Sequence, residues 1–282
     1  MIVISQESHA PTCVLSTWVV ADTKRLVDAL AWLYLRKPSH AARIIGELAP
    51  GSAGFPGRVF DNAIDLLRYN VSDIAADLAS ADPSVVEAAE KKRDIRIVHR
   101  DGLLFQYVSW VAANIQFPTA HATAPHVRKA DKGFDGLLLE VSPTGISRLI
   151  LCEDKASTSP RGLVTGSIWP DIIEISDGER DLEILDGVTA LLDSLKDVDR
   201  ESILVKASWE RAREYRVALT VEPKLQKEGS YVHLFDGFDG CATGNLNVRM
   251  AEVMPLSDIR AYLQSLADQV VKKLQAMAAG NV

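Results

Sequence analysis

Two apolar segments placed close together constrain this chain most. GFDGLLLEV (residues 133–141) and SRLILCEDKAS (147–157) both read as strands, and the SPTG between them carries Pro143 and Gly145, residues suited to a hairpin turn. Each run also carries charge: Asp135 in the first, then Glu153, Asp154 and Lys155 in the second. Buried charges cost several kcal/mol apiece unless they are paired or bound to metal, so their presence calls for a reason.

Strand geometry supplies one. Side chains alternate faces, so Glu153 and Lys155 point the same way and Asp154 points the other, while Asp135 shares its face with Leu137 and Leu139. If the strands pair through the turn, Asp135 lies near Glu153. Two carboxylates and an ammonium then meet at one spot. The acids repel unless a cation sits between them, and hard divalent ions such as Mg²⁺ favour oxygen ligands of this kind.

The surroundings are consistent with one folded α/β protein. Its 282 residues suffice for a sizeable core, and 47% hydrophobic with 24% charged residues is the composition of a globular chain. The first hundred residues read mostly helical: DTKRLVDALAWLYLR (22–36) with Asp22 as N-cap, SHAARIIGEL with Ser39 as cap, and PSVVEAAEKKRD opening on Pro83. DGLLFQYVSWVAANIQ (101–116) reads as a buried helix and residues 169–195 as another. ESILVKASW, YRVALTVEP, YVHLFDGF and NVRMAEVMP read as short strands, and a striped helix closes the chain. The expected division is residues 1–95, mostly helical, and residues 96–282, mixed α/β.

An Asp, a hairpin, an apolar run and then (Asp/Glu)-x-Lys resemble the core motif of the PD-(D/E)xK nuclease superfamily. Phe134 stands where that motif's proline would be. The resemblance spans roughly residues 95–225 and implies the restriction-endonuclease-like α-β-β-β-α-β core: helix 101–116 in front, 169–195 behind, and further strands from 119–127 and 215–223. It implies that Asp135, Glu153 and the backbone carbonyl of Asp154 hold Mg²⁺ (or Mn²⁺), and that Lys155 positions the attacking water or stabilises charge. A further ligand on the leading helix falls to Gln106, through its amide oxygen, or to Glu90 from upstream. The substrate implied is DNA. A nuclease of this size with a helical N-terminal portion is similar to effector subunits of anti-phage or restriction systems, such as the Hachiman type. The N-terminal helices would then dock a helicase or sensor. A homo-oligomer stays open, as does a non-catalytic binding subunit on the same fold.

Other features bound the reading. The net charge of −7 does not announce a nucleic-acid binder, yet the two basic runs, EKKRDIRIVHR (90–100) and HVRKADK (126–132), flank the proposed site. Arg100, Arg128, Lys129 and Lys132 are therefore candidate phosphate contacts, with solvated surface as the alternative. Hydroxyls of STSPRGLVTGS (157–167) are a second candidate. His121 and His126 lack the partners of a zinc site, and FDGFDG (235–240) reads as a turn. Three scattered cysteines argue for a reducing cytoplasm; no apolar run is long enough to span a membrane, and no basic leader precedes the first apolar patch.

Overall fold

The computed structural model describes residues 1–7, 12–128, 133–142, 145–195 and 213–280. Its frame is one seven-stranded sheet in the order β1-β2-β7-β6-β5-β4-β3. The strands are β1 (Ile2–Glu7), β2 (Val14–Val20), β3 (His121–Ala122), β4 (Gly136–Ser142), β5 (Gly145–Lys155), β6 (Arg213–Val221) and β7 (Arg249–Pro255). β2, β7, β6 and β5 run parallel, and β1, β4 and β3 add to the two sides in antiparallel fashion. Parallel strands covered on both faces favour near-continuous apolar runs, and β6 and β7 are buried along almost their whole length.

The helices are α1 (Thr23–Tyr34), α2 (Pro38–Ile45), α3 (Val59–Leu67), α4 (Ala75–Leu78), α5 (Pro83–Gln116), α6 (Pro160–Leu163), α7 (Trp169–Ser176), α8 (Asp181–Ser194), α9 (Phe238–Cys241) and α10 (Ile259–Ala278). On one face of the sheet α1, α5 and α10 bury Leu30, Phe105, Tyr107 and Leu263 against Trp18 and Met254. On the other, α7, α8 and α9 bury Ile172, Ile184 and Phe238 against Leu151, Val217 and Val253. The expected mixed α/β class holds. Along the chain, α5 is followed by β3, β4 and β5, then by α6, α7 and α8, and then by β6. No helix among the described residues is long and apolar enough to cross a membrane.

Several expectations change. Residues 1–95 contain four helices but open on β1 and β2, which join the sheet formed by residues 121–255. The expected boundary after residue 95 falls inside α5, one continuous helix capped by Asp82, whose carboxylate accepts from the Ser84 N–H at 2.9 Å. α2 starts on Pro38 after Lys37, so Ser39 is inside the helix and not its cap. Residues 169–195 split at Gly178, whose φ of +84° ends α7 before α8 begins. The expected strand YVHLFDGF is a 3₁₀ turn (Val232–Phe235) followed by α9, with Gly237 at φ +90° reversing the chain between them. The strand expected at 119–127 shrinks to β3, and the ones expected at 215–223 and 247–255 are β6 and β7. The strand expected over 201–209 lies outside the described residues.

Candidate active site

Asp135 directly precedes β4 and is fixed from three sides. Its N–H donates to the Cys152 carbonyl at 3.1 Å, extending the β4–β5 register in which Gly136 faces Cys152. The preceding Phe134 donates its N–H to Glu183 of α8 at 3.2 Å, and its carbonyl accepts from His126 Nε2 at 2.7 Å. The Arg180 guanidinium lies 4.1 Å over the Phe134 ring. His126 is thereby a structural donor, and its own carbonyl accepts from the Tyr107 hydroxyl at 2.9 Å.

The hairpin brings the three residues of the motif together. Lys155 Nζ lies 2.9 Å from Asp135 Oδ2 and 2.9 Å from Glu153 Oε2. Both acids are buried, while Lys155 retains 26% of its side-chain exposure and marks the open side of the cluster. The Asp154 N–H also donates to Asp135 Oδ2, at 2.8 Å. One ammonium therefore serves two carboxylates, leaving one negative charge uncompensated. Burial, followed by the Asp135 charge, pushes the Glu153 carboxyl up to about 8 despite Lys155. Burial pulls the Lys155 ammonium down, but the two acids outweigh it and hold the group above its ordinary value. Asp171 of α7 adds a further negative field at Glu153, a contribution the sequence reading missed.

Gln106 does reach the cluster from α5. Its amide nitrogen donates to Asp135 Oδ1, and its Oε1 is buried with no hydrogen-bond partner among the described residues. The amide thus meets Asp135 as a donor, where the resemblance implied an oxygen ligand. Glu90, the alternative, pairs with Arg93 about half the length of α5 away from Gln106.

Asp154 points to the opposite face, as alternation requires, and meets residues that sequence reasoning did not single out. Ser109 of α5 donates to Asp154 Oδ1 at 2.6 Å, and Arg216 of β6 donates to Ser109 Oγ at 2.8 Å. The Arg216 guanidinium lies 3.5 Å from Asp154 and 2.6 Å from Glu252 of β7, beneath the Trp18 ring. All three ionised groups are buried. Burial raises Asp154 to about 7, against the pull of Arg216, and also raises Glu252. A signal was present: Arg216 and Glu252 interrupt apolar strands in the same way as Glu153. A cavity of about 20 Å³ between α5 and the sheet is bounded by Gln106, Thr123, Asp135, Asp154 and Arg216, room for about one water.

The candidate phosphate contacts fare differently. Arg100 is only 1% exposed; its guanidinium binds Asp101 at 2.7 Å and Gln264 of α10 at 2.9 Å, so it cannot reach a ligand and is a core residue. Arg128 is exposed, and Lys129 and Lys132 lie outside the described residues. In the loop after Lys155, Ser157 donates its N–H to Thr220 and accepts from the Ser159 N–H, while Arg161 is bound to the carbonyls of Leu234 and Asp236. These groups are satisfied internally. His121 is exposed on β3.

Chemically, the cluster offers two carboxylates and a strand carbonyl, a hard-oxygen set of the kind that binds Mg²⁺ with waters completing the shell. Among the described residues no three His, Cys, Asp or Glu side chains converge as a ready-made metal cluster. Comparison with known proteins adds no assignment: no family model matches the chain, and neither a curated protein nor a solved structure matches it.

Proposed function

We propose that the chain is a metal-dependent nuclease of the PD-(D/E)xK type that hydrolyses DNA phosphodiester bonds, in the setting of anti-phage defence or restriction. One observation carries the reading: Asp135, just before β4, and Glu153 of the antiparallel β5 converge on Lys155 at the end of β5, in a sheet flanked by helices. Asp135, Glu153 and the Asp154 carbonyl would hold Mg²⁺ (or Mn²⁺), which supplies a water of lowered pKa and positive charge on the phosphoryl oxygen. Lys155 orients the attacking water or meets the negative charge that develops on the phosphate. Asp135 is held in place by the Asp154 N–H and Gln106, so the carboxylates need little rearrangement before reaction. Gating by a helicase or sensor belongs to the same reading; full activity of the isolated chain would remove the need for it.

Plasmid and single-stranded DNA cleavage with Mg²⁺, Mn²⁺ or EDTA tests the proposal on wild type, Glu153→Gln and Lys155→Ala. Metal-dependent cutting that both substitutions abolish, with the fold intact, is the expected result. A second reading, a non-catalytic binding subunit on the same fold, draws on Lys155 already filling the gap between the acids. It predicts no Mn²⁺ uptake by calorimetry and no cutting with any partner.

A further inference from the structure

β1 ends the sheet on the side away from the candidate site, and among the described residues its outer edge is open. The Met1 carbonyl accepts from the Ala21 N–H at 2.8 Å, which sets the parity of the β1–β2 ladder: Val3, Ser5 and Glu7 exchange hydrogen bonds with β2. Ile2, Ile4 and Gln6 consequently turn their N–H and C=O groups away from the sheet, and no backbone partner meets them among the described residues. Sheet edges are ordinarily blunted by a proline, a lysine, a bulge or a covering segment. The run IVISQE has none of the first three, its ladder with β2 being continuous.

Helix α5 roofs the vacant position beside this edge. It crosses the sheet from Ser109, over Asp154 of β5, to Phe105, whose ring lies 6.0 Å from Trp18 of β2, and it also packs on β1. Val98 is two turns before Phe105 on the same side of the helix. Seven residues advance a helix by about 10 Å, which is about two strand spacings. Counting from β2, that places Val98 above the position of a strand added beyond β1. Val98 is 45% exposed. On the other face of the same edge Val3 and Val19, cross-strand partners, are 53% and 59% exposed.

We infer that the β1 edge is a docking slot for an extended segment of a partner protein, which adds an eighth strand under Val98. Three residues offering paired donors and acceptors specify a strand, and apolar groups above and below favour one with β-branched or apolar side chains on both faces. A single strand fits better than a second copy of this chain. α5 continues for fifteen residues beyond Val98 toward Pro83, about 22 Å, and a second copy paired through β1 would bring its own helical layer to the same height. The inference is independent of the nuclease reading, since it uses none of Asp135, Glu153 or Lys155.

The probe is an acetylated peptide of about nine residues, alternating Val and Thr with terminal Lys for solubility, titrated into the ¹⁵N-labelled full chain. Binding should slow amide exchange at Ile2, Ile4 and Gln6 and leave Val3 and Ser5 unchanged. Val98→Asp, at an exposed helical position, should weaken binding by about tenfold, and N-methylation of alternate peptide amides should abolish it. Absence of binding at about 1 mM peptide overturns the inference, because so open an edge should reach that affinity. Binding indifferent to both changes also overturns it. Protection of the same three amides by self-association without peptide would assign the slot to a second copy and refute the partner strand.

Discussion

The two faces of β5 carry the same charge arithmetic with opposite consequences. Toward α7, Lys155 serves Asp135 and Glu153; toward α5, Arg216 serves Asp154 and Glu252. Both are clusters of two acids and one base, each short of one positive charge when both of its acids are ionised. They differ in access. Arg216 is 1% exposed, sealed by Trp18 and Ser109, whereas Lys155 keeps a quarter of its surface. A sealed cluster can only hold the fold together, because any ion entering it would need to break the core. An open one can take up a further cation or meet a substrate. Identical composition therefore yields a brace on one side and a candidate reaction centre on the other.

The largest effect that tests this contrast is Arg216→Met. It leaves Asp154 and Glu252 buried without a counter-charge, and the expected loss is about 3–5 kcal/mol at neutral pH by urea denaturation. Lys155→Met should lose less, about 1–2 kcal/mol, because water reaches the cluster it leaves behind. Equal losses would refute the distinction between brace and open site. Ser109→Ala removes the hydroxyl that bridges Arg216 and Asp154, with an expected loss of about 1–2 kcal/mol and unchanged secondary structure by circular dichroism.

The finest probe is pH. Glu153 titrates higher in the folded than in the unfolded chain, so the folded state binds the extra proton. Its contribution to stability is complete below the ordinary carboxylate range and is lost as pH rises toward about 8. Glu153→Gln should flatten that decline in a denaturation series. Added Mn²⁺ should restore stability at the upper end of the window for wild type only; equal stabilisation of Glu153→Gln would place the ion elsewhere.

The hairpin and its charges were legible in the sequence because alternation over β4 and β5 depends on local order and decides which side chains share a face; the bulge between Glu140 and Val141, which shifts the pairing by one residue from that at Ser142 and Gly145, was not legible. Distance along the chain hid the rest. β1 and β2 do not read as strands in the sequence, because β7, the neighbour that draws β2 into the sheet, comes more than two hundred residues later. Arg100 belonged to a basic run and read as surface, yet its partner Gln264 lies 164 positions away and draws it into the core. YVHLFDGF had strand-like residues, but Gly237 turns the chain so that Phe235 and Phe238 both face one core instead of alternating. Ser109 carries no signature of its own, and Arg216 only the interruption of an apolar strand. Their roles exist only once α5 has crossed the sheet.

The strand order β1-β2-β7-β6 has a consequence for how the protein is made. The last strand to emerge during synthesis is inserted in the middle of the sheet, between the second and the sixth. Until β7 arrives, the opening hairpin and the β4–β5 hairpin belong to two unconnected pieces, each exposing a raw edge. Arg216 then waits without Glu252, since that acid is supplied by β7 itself. Such long-range closure folds slowly and leaves edges open to misassembly. It also means that a chain interrupted before residue 249 cannot assemble the brace behind the candidate centre.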